Sequence, residues 1–338
     1  MSRQQPKPVL TALTAGMLGL MLVGPTTSVQ AETRDKKGVL SVSYENDIFA
    51  NQDNGYTNGV RLSWLSAESD VPVWLVSAAN YLPFFETGAV KRYSLSLGQS
   101  MYSPDDISIP TLQEKDRPYA GWLYGSVGLI SDSGSRLDNL KLTLGMVGPA
   151  SLAEQTQTFV HETIGSTIPE GWDHQLNNEP GIILTYERKW RGLFEYEPFG
   201  FGADVTPHVG ASLGNIFTHA SVGATFRLGY DLPSDYGPPR IRPSLPGSDF
   251  FRPTSTLGGY LFAGVEGRAV ARNIFLDGNT FSNSHSVDKY PIVGEVQAGV
   301  AITYGNTRLA YTHVLRSKEF VGQSGPEEFG AITLSFRF

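Results

Sequence analysis

The stretch "SVSYENDIFANQDNGYTNGVRLSW" (residues 41–64) has the pattern of two β-strands joined by a polar tip. Val42 and Tyr44 alternate with polar residues before the tip, and Leu62 and Trp64 do so after it. Successive side chains of a strand point to opposite faces, so each strand has one apolar face and one polar face. The stretch therefore predicts a β-hairpin whose tip is unusually rich in side-chain oxygen atoms.

Segments with the same alternation recur along the whole chain. They lie near residues 39–47, 58–66, 92–100, 119–131, 136–147, 180–191, 200–211, 214–230, 257–272, 290–304, 306–317 and 327–338. A strand that crosses the outer membrane needs about 9–11 residues, and its side chains alternate between lipid and lumen. We therefore expect an all-β fold, a transmembrane antiparallel β-barrel of about twelve strands. A soluble β-sandwich is the alternative, because alternation alone does not separate the two folds.

The N-terminal residues predict a secretory signal peptide. Two basic residues precede an apolar run at residues 9–23, and the small residue Ala31 suits cleavage. We expect a signal peptide at residues 1–31 and a single outer-membrane β-barrel domain at residues 32–338. The last strand ends on the aromatic Phe338 and resembles the final strands that a barrel-assembly machine receives, so we expect that machinery as a partner.

The composition excludes several classes of protein. The chain has no cysteine, so disulfide bonds cannot hold it together. Its 26 Lys and Arg residues and 33 Asp and Glu residues give a net charge of −7, which argues against nucleic acid as a partner. The 15 Tyr, 18 Phe and 37 Gly residues are the abundance that an outer-membrane barrel uses for its aromatic girdles and packed wall.

An even number of strands places both ends of the chain in the periplasm, so each odd strand runs outward. The connections that we expect to be extracellular lie at residues 50–56, 103–118, 148–179, 212–213, 273–289 and 318–326. The first three carry the polar motifs "YENDIF" and "DNGYTNG", then "EKDRPYAGW", then "PASLAEQTQTFVHETIG", and we expect these to converge at one rim. The proline-rich connection at residues 231–256 is periplasmic on this count, and we expect it to be irregular.

The third extracellular connection predicts a helix. Ser151 and Glu154 fit a capping box in front of residues 152–164, which have helical character. Gly165 follows as a stop signal. The apolar residues that we expect to pack this helix down are Leu152, Phe159, Val160 and Ile164.

Two histidines are candidates for acid–base chemistry. His161 lies four residues after Gln157 and therefore shares one face of the predicted helix with it. It is either a solvent-exposed loop histidine or a general base. The rival is His219, which shares a strand face with Ser221 and resembles the histidine-activated serine of other outer-membrane acyl hydrolases. A lumen-facing polar pair is the simpler interpretation of that rival.

The first connection offers the hard oxygen ligands that Ca²⁺ prefers. Asn51, Asp53 and Asn54 are also ordinary turn residues, and we favour that interpretation for them. Asn46 and Asp47 are different, because they follow a strand pattern in which Asn and Asp are disfavoured. These two neighbours would point to opposite faces of a regular strand.

The motifs "YENDIF", "GYTNG", "RPYAGW" and "QTFVH", in this order, resemble those of the LpxR-type outer-membrane lipid A 3-O-deacylases. The resemblance covers essentially the whole chain after the signal peptide. It implies a twelve-stranded barrel in the outer membrane that hydrolyses the ester-linked 3′-acyl chains of lipid A with Ca²⁺. The residues that it assigns to the catalytic site are Asn46, Asp47, Thr57, Gln157 and His161.

The mechanism that the resemblance implies has His161 as the general base that activates water. Asp47 and Asn46 would hold Ca²⁺, which acts as a Lewis acid on the developing oxyanion. Asn46, Thr57 and Gln157 would orient His161, the water or the oxyanion. To serve one site, Asn46 and Asp47 require a bulge or the end of strand pairing near Asn46.

The chain departs from better-known members of this family in its second extracellular connection. A cluster of basic residues suited to lipid A phosphates is reduced to Lys115 and Arg117, which we assign to substrate binding. Trp172 is either an interfacial anchor, the simpler interpretation, or part of an acyl groove. A non-enzymatic channel or structural barrel is the alternative function, because fold alone does not decide function.

Overall fold

Twelve antiparallel strands form the wall of the protein in its computed structural model, which describes residues 35–47, 55–86, 89–191, 195–196, 201–237, 241 and 250–338. The strands β1 to β12 are, in order, Val39–Asn46, Gly55–Leu65, Val90–Ser103, Ala120–Asp132, Arg136–Val147, Glu179–Trp190, Phe201–Gly214, Phe217–Tyr230, Leu257–Asn273, Ile292–Tyr304, Thr307–Arg316 and Glu327–Arg337. Each strand pairs with its neighbours in sequence, and β12 pairs with β1, which closes the barrel. The predicted twelve-stranded antiparallel barrel is confirmed.

In the described parts of the connections lie three short α-helices: α1 at Val73–Asn80, α2 at Ala153–Ile164 and α3 at Ile274–Asp277. Within the described residues, no helix has the length and apolarity needed to span a bilayer. We name the two ends of the barrel by the orientation of this class, with both chain termini on the periplasmic side. The predicted signal peptide, residues 1–31, lies outside the described residues.

The two faces of the wall differ in polarity as the alternation predicts. Leu40 and Val42 on β1 are exposed on the outer face, whereas Ser41 and Ser43 are buried on the inner face. Inside the barrel, hydroxyl groups pair across strands, as the bond of 2.8 Å from Ser41 Oγ to Ser335 Oγ illustrates. The closed ladder satisfies the backbone polar groups that lipid cannot hydrogen-bond.

The connection at residues 231–256 corrects one expectation, because its described parts enter the barrel instead of lying irregularly beneath it. Asp235 is fully buried and accepts a hydrogen bond of 2.9 Å from Arg308 Nη1 on β11. Further along, the Ile241 N–H donates over 2.7 Å to Glu45, which faces inward near the extracellular end of β1. Alternation places these wall residues in the lumen, so a connection that starts at the periplasmic rim reaches well up the lumen.

Aromatic residues of the same connection close the periplasmic end of the lumen. The guanidinium carbon of Arg92 lies 4.9 Å from the ring centre of Phe250, and that of Arg308 lies 4.5 Å from the ring centre of Phe251. Both rings pack with Val39 and other buried side chains of the lower wall. This filling argues against the interpretation as an open channel.

The charges around Asp235 generate a prediction about stability. Asp235 binds Arg227, Arg308 and the Tyr260 hydroxyl inside the wall. Asp235→Asn would remove the carboxylate charge that the buried Arg227 and Arg308 guanidinium groups share, so we expect the free energy of unfolding to fall by about 3–5 kcal/mol. Urea titration in lipid vesicles measures this, with Asp231→Asn on the same connection as the control. Equal stability of the two variants would contradict the role given to Asp235.

Candidate functional site

Four residues form a row across the outer face of β1 to β4 near the extracellular end. Asn46 on β1 lies opposite Asn58 on β2. Met101 on β3 lies between Asn58 and Gly121 of β4. We call these four residues the outer row. The row crosses β1 to β4, the strands that the polar connections at residues 50–56 and 103–118 join in pairs.

The outer row belongs to the lipid-facing side of the wall. Each member lies an even number of residues from an exposed apolar residue of its own strand: Val42, Val60, Leu97 and Val127. Nevertheless Asn46, Asn58 and Met101 are only 4%, 7% and 1% exposed. Another part of the chain therefore covers the outer wall at this height.

Helix α2 covers part of this wall. A Cβ atom added at Gly121 would lie 2.3 Å from the Cβ of Ala153 and 2.0 Å from the Oγ of Ser151, so glycine permits the close approach. Gln99 on the outer face of β3 donates from Nε2 to the Ser151 carbonyl over 2.6 Å. Met101 packs with Ala153 in one apolar cluster. The helix thus begins over β4 and lies against the outside of the barrel.

The ends of α2 agree only partly with the sequence prediction. The capping box is wrong, because Ser151 lies in a preceding 3₁₀ turn and no side chain caps the helix. Leu152 is the N-cap residue and has a left-handed backbone, with φ of 59°. Gly165 ends the helix as expected: its φ is 71°, and its N–H bonds the carbonyl of His161.

The face that α2 turns to the barrel is the opposite of the expected one. Leu152, Phe159 and Ile164 are 54%, 68% and 57% exposed. The buried residues are Ala153, Gln157 and His161, which recur every four residues along one face. The small Ala153 allows contact with the wall, and the two polar side chains find hydrogen-bond partners on that side. Apolar residues instead cover the outward surface of the helix.

Gln157 is held by Trp172, for which an interfacial anchor was the simpler interpretation of the sequence. Trp172 is 2% exposed, so the anchor interpretation is wrong. Its indole Nε1–H donates to Gln157 Oε1 over 2.8 Å, and Tyr119 packs on its ring. Because an indole N–H only donates, this bond orients the Gln157 amide. Gln157 Nε2 is buried and has no hydrogen-bond partner among the described residues.

His161 is held in one orientation by the loop that follows its own helix. Its Nδ1 lies 2.5 Å from the carbonyl oxygen of Thr167. A carbonyl only accepts, so Nδ1 carries the proton and Nε2 of the neutral ring has a free lone pair. The side chain is 4% exposed. This is the arrangement of a histidine that accepts a proton at Nε2.

The end of β1 agrees with the expected break in pairing. Asn46 is the last residue of the strand, and it still pairs with Gly330 on one side and Asn58 on the other. Asp47 follows outside the ladder and is fully buried. The register shift falls instead on β2, between Gly55 and Asn58. Pairing therefore ends near Asn46 as predicted, without a bulge in β1.

The sequence interpretation gave no role to Asn58, which the structure adds to this region. Asn58 donates from Nδ2 to the Tyr44 hydroxyl over 3.1 Å. Its Oδ1 is buried and has no hydrogen-bond partner among the described residues. The alternation of the sequence could have identified Asn58, because it is a polar residue at an outward position of β2, where the pattern otherwise has apolar residues. Thr57 precedes Asn58 in β2, and the Thr57 side chain is not among those that the structure describes.

The dimensions of α2 suit a common site with the outer row. From Ala153 to His161 the helix advances about 12 Å. The outer row spans three strand spacings, or about 14 Å, from β4 to β1. Since α2 begins over Gly121 and also contacts β3, it lies over the half of the row that β4 and β3 contribute.

The two basic residues assigned to substrate binding differ in their placement. Lys115 is exposed on the loop surface. Arg117 is buried, and its Nη2 lies 3.0 Å from a Glu319 carboxylate oxygen. Burial favours the neutral form of Glu319, but Arg316 and Arg117 outweigh this effect and lower the pKa of Glu319. Because its charge is already paired, the placement of Arg117 does not support a role in binding substrate phosphates.

The rival pair lies on the other side of the wall. His219 and Ser221 on β8 are 5% and 7% exposed and face the lumen. They are therefore separated by the wall from Gln157 and His161. The structure brings His161 and Gln157 together on one face, and it does not add His219 or Ser221 to them.

Comparison with known proteins gives a consistent result. The family model described as outer membrane protein LpxR matches residues 15–338. The solved structure of LpxR from Salmonella typhimurium is similar, with a TM-score of 0.72 and 22% identity over 88% of this chain and 99% of that chain. The β domain of the Bordetella autotransporter BrkA gives a TM-score of 0.40 at 10% identity, over 89% of this chain and 97% of that chain. No curated protein matches.

The contact at Gly121 predicts how α2 can be displaced. In Gly121→Ala the added methyl group collides with Ser151 and Ala153, so we expect α2 to move away from the wall. Hydrogen exchange of the α2 amides should become faster while the barrel strands stay protected. Gly125→Ala is the matched control on the same face of β4, because its Cβ would meet only one atom, at 3.7 Å. Equal exchange of α2 in both variants would contradict this packing.

Proposed function

The chain belongs to the LpxR family of outer membrane proteins, and we propose that it is a lipid A 3-O-deacylase, an ester hydrolase acting on 3′-linked acyl chains. One observation carries this proposal: the buried polar face of α2 lies on the outer side of the barrel wall at the extracellular rim. The protein is located in the outer membrane, so this side faces the outer leaflet. A lipid substrate would reach such a site laterally, without entering the filled lumen.

His161 is the general base of the proposed reaction. Its Nε2 takes a proton from water while the water oxygen attacks the ester carbonyl carbon. The carbonyl oxygen then carries a negative charge. When this intermediate collapses, the bond to the sugar oxygen breaks, and the imidazolium returns its proton to that oxygen. The products are a free fatty acid and a free hydroxyl group on lipid A.

Gln157 is the candidate donor to the oxyanion. Its Nε2 is the buried amide nitrogen left without a partner, and the bond from Trp172 keeps it in place. A fixed donor costs no reorganisation when charge develops on the carbonyl oxygen. Trp172 therefore acts as a positioning residue in this proposal.

The strand ends supply oxygen ligands that fit Ca²⁺. Asn58 Oδ1 is a buried carbonyl oxygen without a partner among the described residues. Asp47 is a buried carboxylate that directly follows Asn46, the residue opposite Asn58. Asp47, with Asn46 and Asn58, would hold the ion, because Ca²⁺ prefers carboxylate and amide oxygens. The chemistry that Ca²⁺ supplies when bound is Lewis-acid polarisation of the ester carbonyl.

The outward face of α2 fits a lipid substrate. Leu152 and Phe159 are exposed at the rim, on the surface of a helix that already lies on the lipid-facing wall. Acyl chains of the outer leaflet would contact these side chains. Lys115 remains available to the sugar phosphates on the loop surface, whereas the charge of Arg117 is paired within the protein.

The role of His161 predicts a loss of activity in His161→Gln. We expect deacylation to fall by about 10²–10⁴-fold, the usual contribution of a general base. Mass spectrometry of lipid A from expressing cells supplied with Ca²⁺ measures the product. His313→Gln, at a half-buried histidine near the same end of the barrel, is the matched control.

Two outcomes would count against this assignment. Unchanged lipid A with the unaltered chain, in a host whose lipid A carries a 3′-acyloxyacyl group, would argue against deacylase activity. Loss of activity in Ser221→Ala, with His161→Gln still active, would instead favour the histidine–serine pair of β8.

The role of Asp47 predicts a changed dependence on Ca²⁺. Removing one ligand charge in Asp47→Asn should raise the Ca²⁺ concentration for half-maximal deacylation by about tenfold or more. The measurement is a Ca²⁺ titration with purified protein in lipid A micelles, after removal of metal by a chelator. Asp106→Asn, an exposed extracellular carboxylate, should leave the titration unchanged. An enzyme that stays fully active with chelator present would rule out this role.

A further inference from the structure

The connection between β2 and β3 contains a long uncharged stretch at the periplasmic end. Residues 71–85, "VPVWLVSAANYLPFF", include α1 and have no acidic or basic residue. Val73, Trp74 and Tyr81 are 82%, 70% and 88% exposed. Such an exposed apolar surface is costly in water and indicates a contact with another apolar phase.

The stretch is fastened to the outside of the barrel. The ring of Phe84 lies 4.5 Å from that of Tyr186, and Arg188 Nη2 donates to the Phe84 carbonyl over 2.8 Å. Tyr186 and Arg188 are on the same face of β6 as Ile182 and Leu184, which are exposed on the lipid-facing side. The connection therefore folds back onto the outer wall.

The wall beneath this connection is polar, unlike the belt above it. Asp138 on β5 is 1% exposed and pairs with Arg188 at 2.6 Å and with Arg136 at 3.0 Å. Lys91 on β3 donates to the Glu86 carbonyl over 2.7 Å. These outward charges would be costly in contact with lipid. The connection shields them, and the exposed apolar belt begins four residues further along β5, at Leu142.

We propose that residues 71–85 form an interfacial anchor that inserts its exposed apolar side chains into the periplasmic leaflet of the outer membrane. The occupant of this surface is the glycerol and upper acyl region of phospholipids. Three observations select it: the stretch continues the lipid-facing wall, it lacks the cationic residues that bind anionic surfaces, and it exposes Trp74 and Tyr81. Trp and Tyr are the side chains enriched at membrane interfaces.

The anchor would fix the depth of the barrel in the membrane. It lies at the periplasmic boundary, opposite the outer row at the extracellular boundary. Holding one end at the interface limits vertical movement of the other end. The inference rests on the fold and the outer-membrane location, so it stands or falls separately from the proposed deacylase activity.

The test uses the absence of cysteine in this chain, which makes any introduced cysteine unique. Trp74→Cys, Leu142→Cys and Ser135→Cys are each labelled with an environment-sensitive fluorophore and folded into phosphatidylethanolamine and phosphatidylcholine vesicles. Leu142 marks the lipid-facing wall, and Ser135 marks an exposed turn at the same end of the barrel. Phospholipids brominated near the top of the acyl chain and aqueous iodide serve as the two quenchers.

We expect the brominated lipid to quench the label at position 74 as strongly as the label at position 142, with a blue-shifted emission at both. Iodide should quench only the label at position 135. Tyr81→Cys repeats the measurement if Trp74→Cys does not fold, as judged by heat-dependent migration of the barrel in gels. Quenching of both anchor labels by iodide and not by lipid would overturn the proposal. Self-quenching that grows with the ratio of protein to lipid would overturn it in favour of a second copy of the chain.

Discussion

Closure of the strand ladder governs the rest of this structure, because a bilayer offers no water to unpaired backbone N–H and C=O groups. Pairing of β12 with β1 completes the ring and thereby creates two chemically different surfaces from one alternating sequence. Serine hydroxyls and ion pairs fill the inner surface, together with the connection that carries Asp235 and Phe251. With the lumen occupied, chemistry on a membrane lipid belongs on the outer surface, where helix α2 lies.

Two connections fold back over that outer surface, one at each rim of the barrel. At the extracellular rim, α2 and the turn before it lie over the outer faces of β3 and β4, where the Gln99 amide donates to the Ser151 carbonyl. At the periplasmic rim, the connection between β2 and β3 lies over Asp138 and Lys91. In both places a connection folds back over polar groups that would otherwise face lipid, and it turns an apolar surface outward. The difference lies in what is enclosed. At the periplasmic rim Asp138 pairs with Arg188 and Arg136, whereas at the extracellular rim Gln157 Nε2 and the Asn58 carbonyl oxygen have no partner among the described residues.

The sequence predicted the position of the candidate site along the chain more accurately than the arrangement of its side chains. The spacing of Gln157 and His161 correctly placed both on one face of a helix, and the end of β1 lies where Asn46 predicted it. It chose the wrong side of α2, because an apolar stripe normally faces a protein core and here it faces away from the wall. It also assigned Arg117 to substrate, since its partner Glu319 lies 202 residues further along the chain and no local pattern reveals that pair.

The sequence by itself determined the class of fold, the number and order of strands and the end of the barrel at which the polar motifs gather. These follow from a period of two in hydrophobicity and from strand parity, which are local or countable properties. Only the tertiary structure decided that the candidate site lies on the outside of the wall, that Trp172 orients Gln157 and that Asp235, Ile241 and Phe251 of the connection at residues 231–256 enter the lumen. Those features depend on strand register and on contacts between distant connections, which exist only after the ring has closed and brought the connections together.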